Sequence, residues 1–350
     1  MGPVLLWHNN RKCEIISFCC GIIFTAQQRK TSIDDKTNKA HKGKGTTIME
    51  IAKNIKLVAV TAAMAAATCG AGEDHAKQIT ERILQNVAKI KAAAPDAVPM
   101  AFWDFDGTIL KGDITEGLAE NGVVRYKGIV QRTTEAGLCP VYRGEAGWRQ
   151  YVERDYPRMN AIGRWLAWPY NAQIYAGESV AAIDAFCEAE CEAVYRKWYF
   201  TSSLEMLRAL EAAGVENYIV SASPELFVRA AAKSLALPRG RFRGIRVELN
   251  GDRVTSNVVH PVPYGEGKVE NIRSIILSRP NGVAVAAFGN SYSTDGAFLR
   301  YVATQPSLPG GAAGTAVMIN GGKTVKGYTE HFITVSQSET VGGCSFVVAH

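Results

Sequence analysis

The chain has 350 residues, 47% of them hydrophobic. That is enough apolar material for one large or two smaller globular units with a real core, so a wholly disordered chain is excluded. The formal charge of +6 lies in the leader, where residues 1–69 hold 10 Lys and Arg against 4 Asp and Glu, leaving 29 of each sign beyond; a neutral body argues against a polyanion-binding face, and no nucleic-acid partner is expected.

The elements begin with that leader. Lys53 and Lys56 precede an apolar run, "LVAVTAAMAAAT", that ends at Cys69-Gly70. A basic stretch, a short apolar stretch and small residues have the layout of a secretory signal, and the run is too short to span a membrane comfortably. Residues 49–69 are therefore expected to be a signal peptide or, with Cys69 as acceptor, a lipoprotein signal. The chain is expected to act outside the cytoplasm, in a periplasm or on a lipid anchor, with no other membrane contact. Cleavage after Ala65-Ala66-Ala67 competes with lipidation. Because Met49 stands before a complete signal of its own, residues 1–48 read as an extension outside the natural chain, with an uncleaved anchor as the alternative.

From Glu73 the apolar positions Ile79, Ile83, Val87 and Ile90 recur at helical spacing, and Pro95 closes the pattern. "AVPMAFW" reads as a buried strand, followed by an acidic turn, "DFDGT", from Asp104 to Thr108. Between Leu110 and Phe200 the pattern turns helical and aromatic-rich, with Trp148, Tyr151, Tyr156, Trp165, Trp168, Tyr170 and Tyr175. Residues 112–200 read as an inserted, mainly helical domain. Eight cysteines lack the spacing of a zinc site, so at most one or two disulfides are expected, and Cys187 and Cys191 read as structural thiols.

"TSSLEMLRALEAAG" carries a Ser202-x-x-Glu205 capping box and a terminating Gly214. "ENYIVSASP" then predicts a strand with Ser221 at its end and Pro224 in the first turn of the next helix. "GIRVELNGDRVTSNVV" predicts a hairpin around Asn250-Gly251, and "GEGKVENIRSIIL" a helix with Lys268 in its first turn. "GVAVAAFGNSYSTDGAFL" reads as strand, polar loop and helix, and "TAVMIN" as one more strand. Such alternation predicts an α/β fold: a Rossmann-like, mostly parallel sheet over residues 73–111 and 201–350, interrupted by the helical insert. Asp104, Ser221, Lys268 and the Asn290–Asp295 loop then share one sheet edge and can converge on one pocket.

In those four segments the chain resembles the haloacid dehalogenase superfamily, in particular its phosphatases with a helical cap inserted after the first motif. "DFDGT" looks like the first motif, "YIVSAS" the second, Lys268 in "GEGKVENI" the third and "GNSYSTD" the fourth, over roughly residues 98–319. The resemblance implies a phosphatase in which Asp104 is the nucleophile, forming an aspartyl-phosphate. Asp106 protonates the leaving oxygen and then deprotonates water. It implies Mg²⁺, because a carboxylate attacks an anionic ester only when cations screen the repulsion. Metal ligands are expected among Asp104, Asp106, Asn290 and Asp295; Ser221, Lys268 and Thr108 are expected around the phosphate. Asp at position 106, where dehalogenases resemble the motif with Tyr and P-type ATPases with Thr, favours phosphate-ester hydrolysis.

The fourth motif departs from the family, with Asn290 where Asp is common and Asp295 five residues on. An amide oxygen can ligate Mg²⁺ but removes one negative charge. Look-alikes include phosphoserine-phosphatase-like enzymes and phosphorylcholine phosphatases, so a small phosphorylated substrate is expected. The aromatic insert raises phosphocholine through cation–π contacts, with core packing as the other reading of the same rings. A non-catalytic exported binding protein of this fold, and a phosphotransferase, are the alternatives.

Overall fold

The computed structural model describes residues 75–321, 326–327 and 330–343. The leader, the basic extension and Cys69 lie outside them. Among the described residues no helix is long and apolar enough to cross a membrane.

Helix α1 covers 75–93, and the four positions at helical spacing form its inner face: Ile79, Ile83, Val87 and Ile90 are all buried. The apolar run "VPMAFW" becomes β1 (Val98–Trp103), buried on both faces as a strand in the middle of a parallel sheet must be. Seven strands are ordered β6-β5-β4-β1-β7-β8-β9. β1 pairs in parallel with β4 (Glu216–Pro224) and β7 (Gly282–Gly289). β7, β8 (Thr315–Ile319) and β9 (Phe332–Val335) continue the parallel arrangement. β5 (Phe242–Asn250) turns back at Gly251, φ +60°, into antiparallel β6 (Arg253–Val259), the hairpin expected from Asn250-Gly251. The fold is therefore α/β, with a mostly parallel seven-stranded sheet and a helical insertion.

Between β1 and β4 the insert opens with a small antiparallel hairpin, β2 (Gly117–Glu120) and β3 (Val123–Lys127), which the helical reading of this stretch does not contain. Its residues are mostly half-buried or exposed, with Tyr126 alone buried, so no clear apolar alternation marks it. Helices α2 (Ile129–Glu135), α3 (Gly144–Gln150), α4 (Tyr156–Ile162), α5 (Arg164–Gln173) and α6 (Val180–Glu190) follow. Their aromatics pack on one another. Tyr151 stacks between Trp148 and Tyr156 at 5.5 and 5.2 Å, and the Tyr142 and Tyr170 hydroxyls meet at 2.8 Å. Most of these rings are thus the insert's own core, while Trp165 is exposed. Cys139, Cys187 and Cys191 are buried free thiols.

The core resumes with α7 (Thr201–Ala212), which ends at Gly214 as expected, φ +77°. Its start differs from the expected capping box. Phe200 is the N-cap residue, and the Ser202 hydroxyl donates to Gln337 instead. Pro224 likewise stands one position earlier than expected, as the last residue of β4 and the N-cap of a single helical turn, Glu225–Val228. α8 (Glu266–Ser278) and α9 (Gly296–Ala303) carry the remaining motifs onto the sheet edge.

Candidate active site

β1 ends at Trp103, and the next residue turns its carboxylate into the carboxyl edge of the sheet. Asp104 is 5% exposed and anchored through its amide, which donates to the Phe288 carbonyl of β7 at 2.8 Å. Its Oδ1 accepts from Lys268 Nζ at 2.6 Å and its Oδ2 from the Thr108 hydroxyl at 3.1 Å. Lys268, in the first turn of α8, is wholly buried and also donates to Asp295 Oδ1 at 2.7 Å. One ammonium thus bridges two buried carboxylates.

Asp295 is locked from the other side. Its Oδ2 accepts from the amides of Asn290 and Ser291 at 2.9 and 3.0 Å, closing the loop after β7 onto itself. Gly289 makes this possible, because a Cβ there would lie 2.6 Å from that of Asp295. Gly107 plays the matching part in the first loop. Its φ of +75° suits glycine, and a Cβ would collide with the Asn290 amide group, so Asn290 lies directly against the acidic turn.

Asp106 faces a different set of partners. Its Oδ1 accepts from the Ile114 amide at 2.7 Å, and its Oδ2 from the Ser223 hydroxyl at 2.7 Å and the Ser221 hydroxyl at 3.3 Å. Thr115 at the base of the insert donates to Ser223 at 2.9 Å, and the Ser223 amide donates to the Ser221 hydroxyl at 3.0 Å. The expected residues Asp104, Thr108, Lys268 and Asp295 therefore form one hydrogen-bonded chain, Asp106 on the acidic turn and Ser221 on β4 form a second, and Asn290 lies against that turn. Ser223 and Asp113 do not stand out in the sequence as site residues. Ser223 does carry a signal, since residues two apart on a strand share a face and β4 reads Ser-x-Ser. Asp113 is held by the Thr115 and Glu116 amides at 2.7 and 2.8 Å.

The electrostatics follow from crowding three acids around one base. Burial, then the Asp295 charge, pushes the Asp104 carboxyl up to about 7 against the pull of Lys268. Burial pushes Asp106 up to about 6 against the hydrogen bonds from Ser223 and Ile114. Asp113 rises through burial and the Asp106 charge. Burial works against the Lys268 ammonium, but Asp104 and Asp295 more than offset it and raise its pKa. Ionised, Asp104, Asp106 and Asp295 outweigh Lys268 by two negative charges, which a divalent cation would neutralise. The donors at hand are hard oxygens, as Mg²⁺ requires. No group of three or more His, Cys, Asp or Glu that could hold a metal occurs among the described residues.

A family model for haloacid dehalogenase-like hydrolases matches residues 101–300, which span all four motifs. The chain belongs to the haloacid dehalogenase-like hydrolases. No curated protein matches it. Among solved structures this hydrolase is similar to a protein with unknown function from Bordetella pertussis Tohama I, at 15% identity and a TM-score of 0.51 over 68% of this chain and 98% of that one. It is also similar to a phosphoserine phosphohydrolase-like protein from Francisella tularensis subsp. tularensis SCHU S4, at 14% identity and a TM-score of 0.38 over 63% and 87%. A phosphoserine phosphatase from T. onnurineus matches at 11% identity and a TM-score of 0.36 over 69% and 90%.

Proposed function

We propose that this hydrolase cleaves phosphate monoesters of small molecules. The observation that carries the reading is the buried Lys268 ammonium bridging Asp104 and Asp295 at the end of β1, with the second acid, Asp106, held by a separate set of donors. Two carboxylates in separate surroundings can take separate roles. Asp104 attacks phosphorus in line, forming the aspartyl-phosphate as the bond to the ester oxygen breaks, and Asp106 delivers its proton to that oxygen. Asp106 then takes a proton from water as the water oxygen attacks phosphorus, releasing phosphate and restoring the Asp104 carboxylate. Lys268 balances charge beside the nucleophile, and Ser221 supplies a hydroxyl to the phosphoryl oxygens.

Mg²⁺ would be held by groups among Asp104, Asp106, Asn290 and Asp295. The ion would neutralise the ester and the carboxylates. Asp295, with an oxygen on Lys268 and an oxygen on two amides, serves first to hold the base and the loop.

Purified full-length chain with MgCl₂ is expected to release phosphate from p-nitrophenyl phosphate, and Asp104→Asn to abolish that release. The amide at position 290 favours a second reading, a binding protein that keeps the fold but has a weakened metal site. Absence of turnover with any divalent metal would decide for it.

A further inference from the structure

The chain leaves the core through Ile109–Lys111 and returns from the insert through Trp198–Phe200, and these two connections pair with each other. The Phe200 amide donates to the Ile109 carbonyl at 2.8 Å and the Lys111 amide to the Trp198 carbonyl at 2.9 Å. A third segment lies alongside. The Thr201 amide donates to the Glu339 carbonyl at 3.1 Å, the Val341 amide to Tyr199 at 2.9 Å and the Gly342 amide to Lys197 at 2.7 Å. Residues 339–342 therefore strap the returning connection.

Gln337 stands at the start of this strap. Its Nε2 donates to the Thr108 carbonyl at 3.0 Å and to the Ser203 hydroxyl at 2.9 Å, and its Oε1 accepts from Ser202. Its main chain is held by Asn320, whose Oδ1 accepts from the Gln337 amide and whose Nδ2 donates to the Gln337 carbonyl, both at 2.8 Å. An amide with donor and acceptor both engaged cannot swing without losing hydrogen bonds. The Thr108 that it grips is the residue whose hydroxyl reaches Asp104 Oδ2.

We propose that Gln337 is a positioning residue for the nucleophile: it pins the acidic turn from outside through the Thr108 carbonyl, and so holds the Thr108 hydroxyl on Asp104. It touches neither substrate nor Asp104. In-line attack depends on placing the nucleophile within a fraction of an ångström, so a brace on its turn acts on the chemical step rather than on binding. The strap also joins this brace to the connection through which the insert returns. The kinetic consequence rests on the phosphatase reading; the structural one does not.

The Ser203 hydroxyl, itself held by Gln337, also donates to the Thr108 carbonyl at 2.6 Å. Gln337→Ala removes the direct donor and the group that orients Ser203, and Gln337→Glu keeps the shape while turning a donor into an acceptor facing the Thr108 carbonyl. With full-length protein, p-nitrophenyl phosphate and saturating MgCl₂, each is expected to lower kcat about ten-fold with KM within about two-fold of wild type. Hydrogen exchange of the Gly107–Leu110 amides is expected to speed up in both, with the β5–β6 hairpin unchanged. A folded variant with wild-type kcat and wild-type exchange over that turn overturns the proposal. Should the wild-type chain show no turnover, the phosphatase reading fails by itself and the exchange measurement still decides. Should Gln337→Ala fail to fold, the same two measurements on Gln337→Glu decide.

Discussion

Lys268 illustrates how one side chain can be both essential and costly. A fully buried ammonium is tolerated only because two carboxylates lie within 2.7 Å. Lys268→Met keeps the length and the apolar stem but leaves Asp104 and Asp295 facing each other without a counter-charge. We expect it to destabilise the fold by ~3–5 kcal/mol in urea unfolding and to remove phosphate release. At this scale much of the site is legible in the sequence. Asp104, Asp106, Ser221, Lys268 and the Asn290–Asp295 loop each stand at a strand end or helix start, where α/β topology gathers functional groups. Ser223 is easily passed over despite its Ser-x-Ser spacing with Ser221, because a hydroxyl before proline has a dull local reading. Gln337 cannot be read at all: its partner Thr108 is 229 residues away, and nothing in "VSQSE" points to it.

Elements are legible where their periodicity is strong and obscure where tertiary pairing overrides local chemistry. The apolar faces of α1, β1 and β7 leave little choice of structure. Ser202 and Glu205 have the spacing of a capping box, but Phe200 is drawn into a bridge with Thr340, so the helix starts at Thr201 and Ser202 falls within its first turn. The β2–β3 hairpin and β9 leave little trace in the sequence because one has no regular buried face and the other has only four residues. The start of β4 carries a pH-dependent contact with the end of α8. Burial opposes ionisation of Glu216, but Arg279, whose Nη2 is 2.6 Å away, and the Tyr218 hydroxyl overcome it and hold the carboxyl below its ordinary range. A depressed pKa gives stability that is present above the unfolded value of about 4.3 and is lost as pH falls through the folded one. Glu216→Gln should therefore lower stability by up to about 1 kcal/mol at pH 7, with the difference shrinking as pH falls below the unfolded value and through the folded one, as urea midpoints would report.

Across the whole molecule, the fold class follows from the strand-helix alternation, whereas the way the insert meets the core depends on contacts far apart in sequence. α5 reaches both loops of the site. Trp168 packs edge-on against Tyr264 at 5.2 Å, just before α8, and Arg164 donates to the Ser293 hydroxyl at 3.1 Å in the loop after β7. Such an aromatic pair contributes ~0.5–1.5 kcal/mol beyond its buried area. Trp168→Ala is expected to loosen the insert against the core. Limited proteolysis should then cut within residues 112–200 several-fold faster than in wild type, with the urea midpoint of the core little changed.

The place of β1 in the sheet bears on how the chain is made. The first strand is the central one, yet its neighbours arrive late: Met100 pairs with Glu216 on one side and with Ala284 on the other. During synthesis this apolar strand emerges from the ribosome more than a hundred residues ahead of any partner, with both edges open and sticky. Stalled fragments ending before β4 are therefore expected to aggregate, as sedimentation of truncated chains would report.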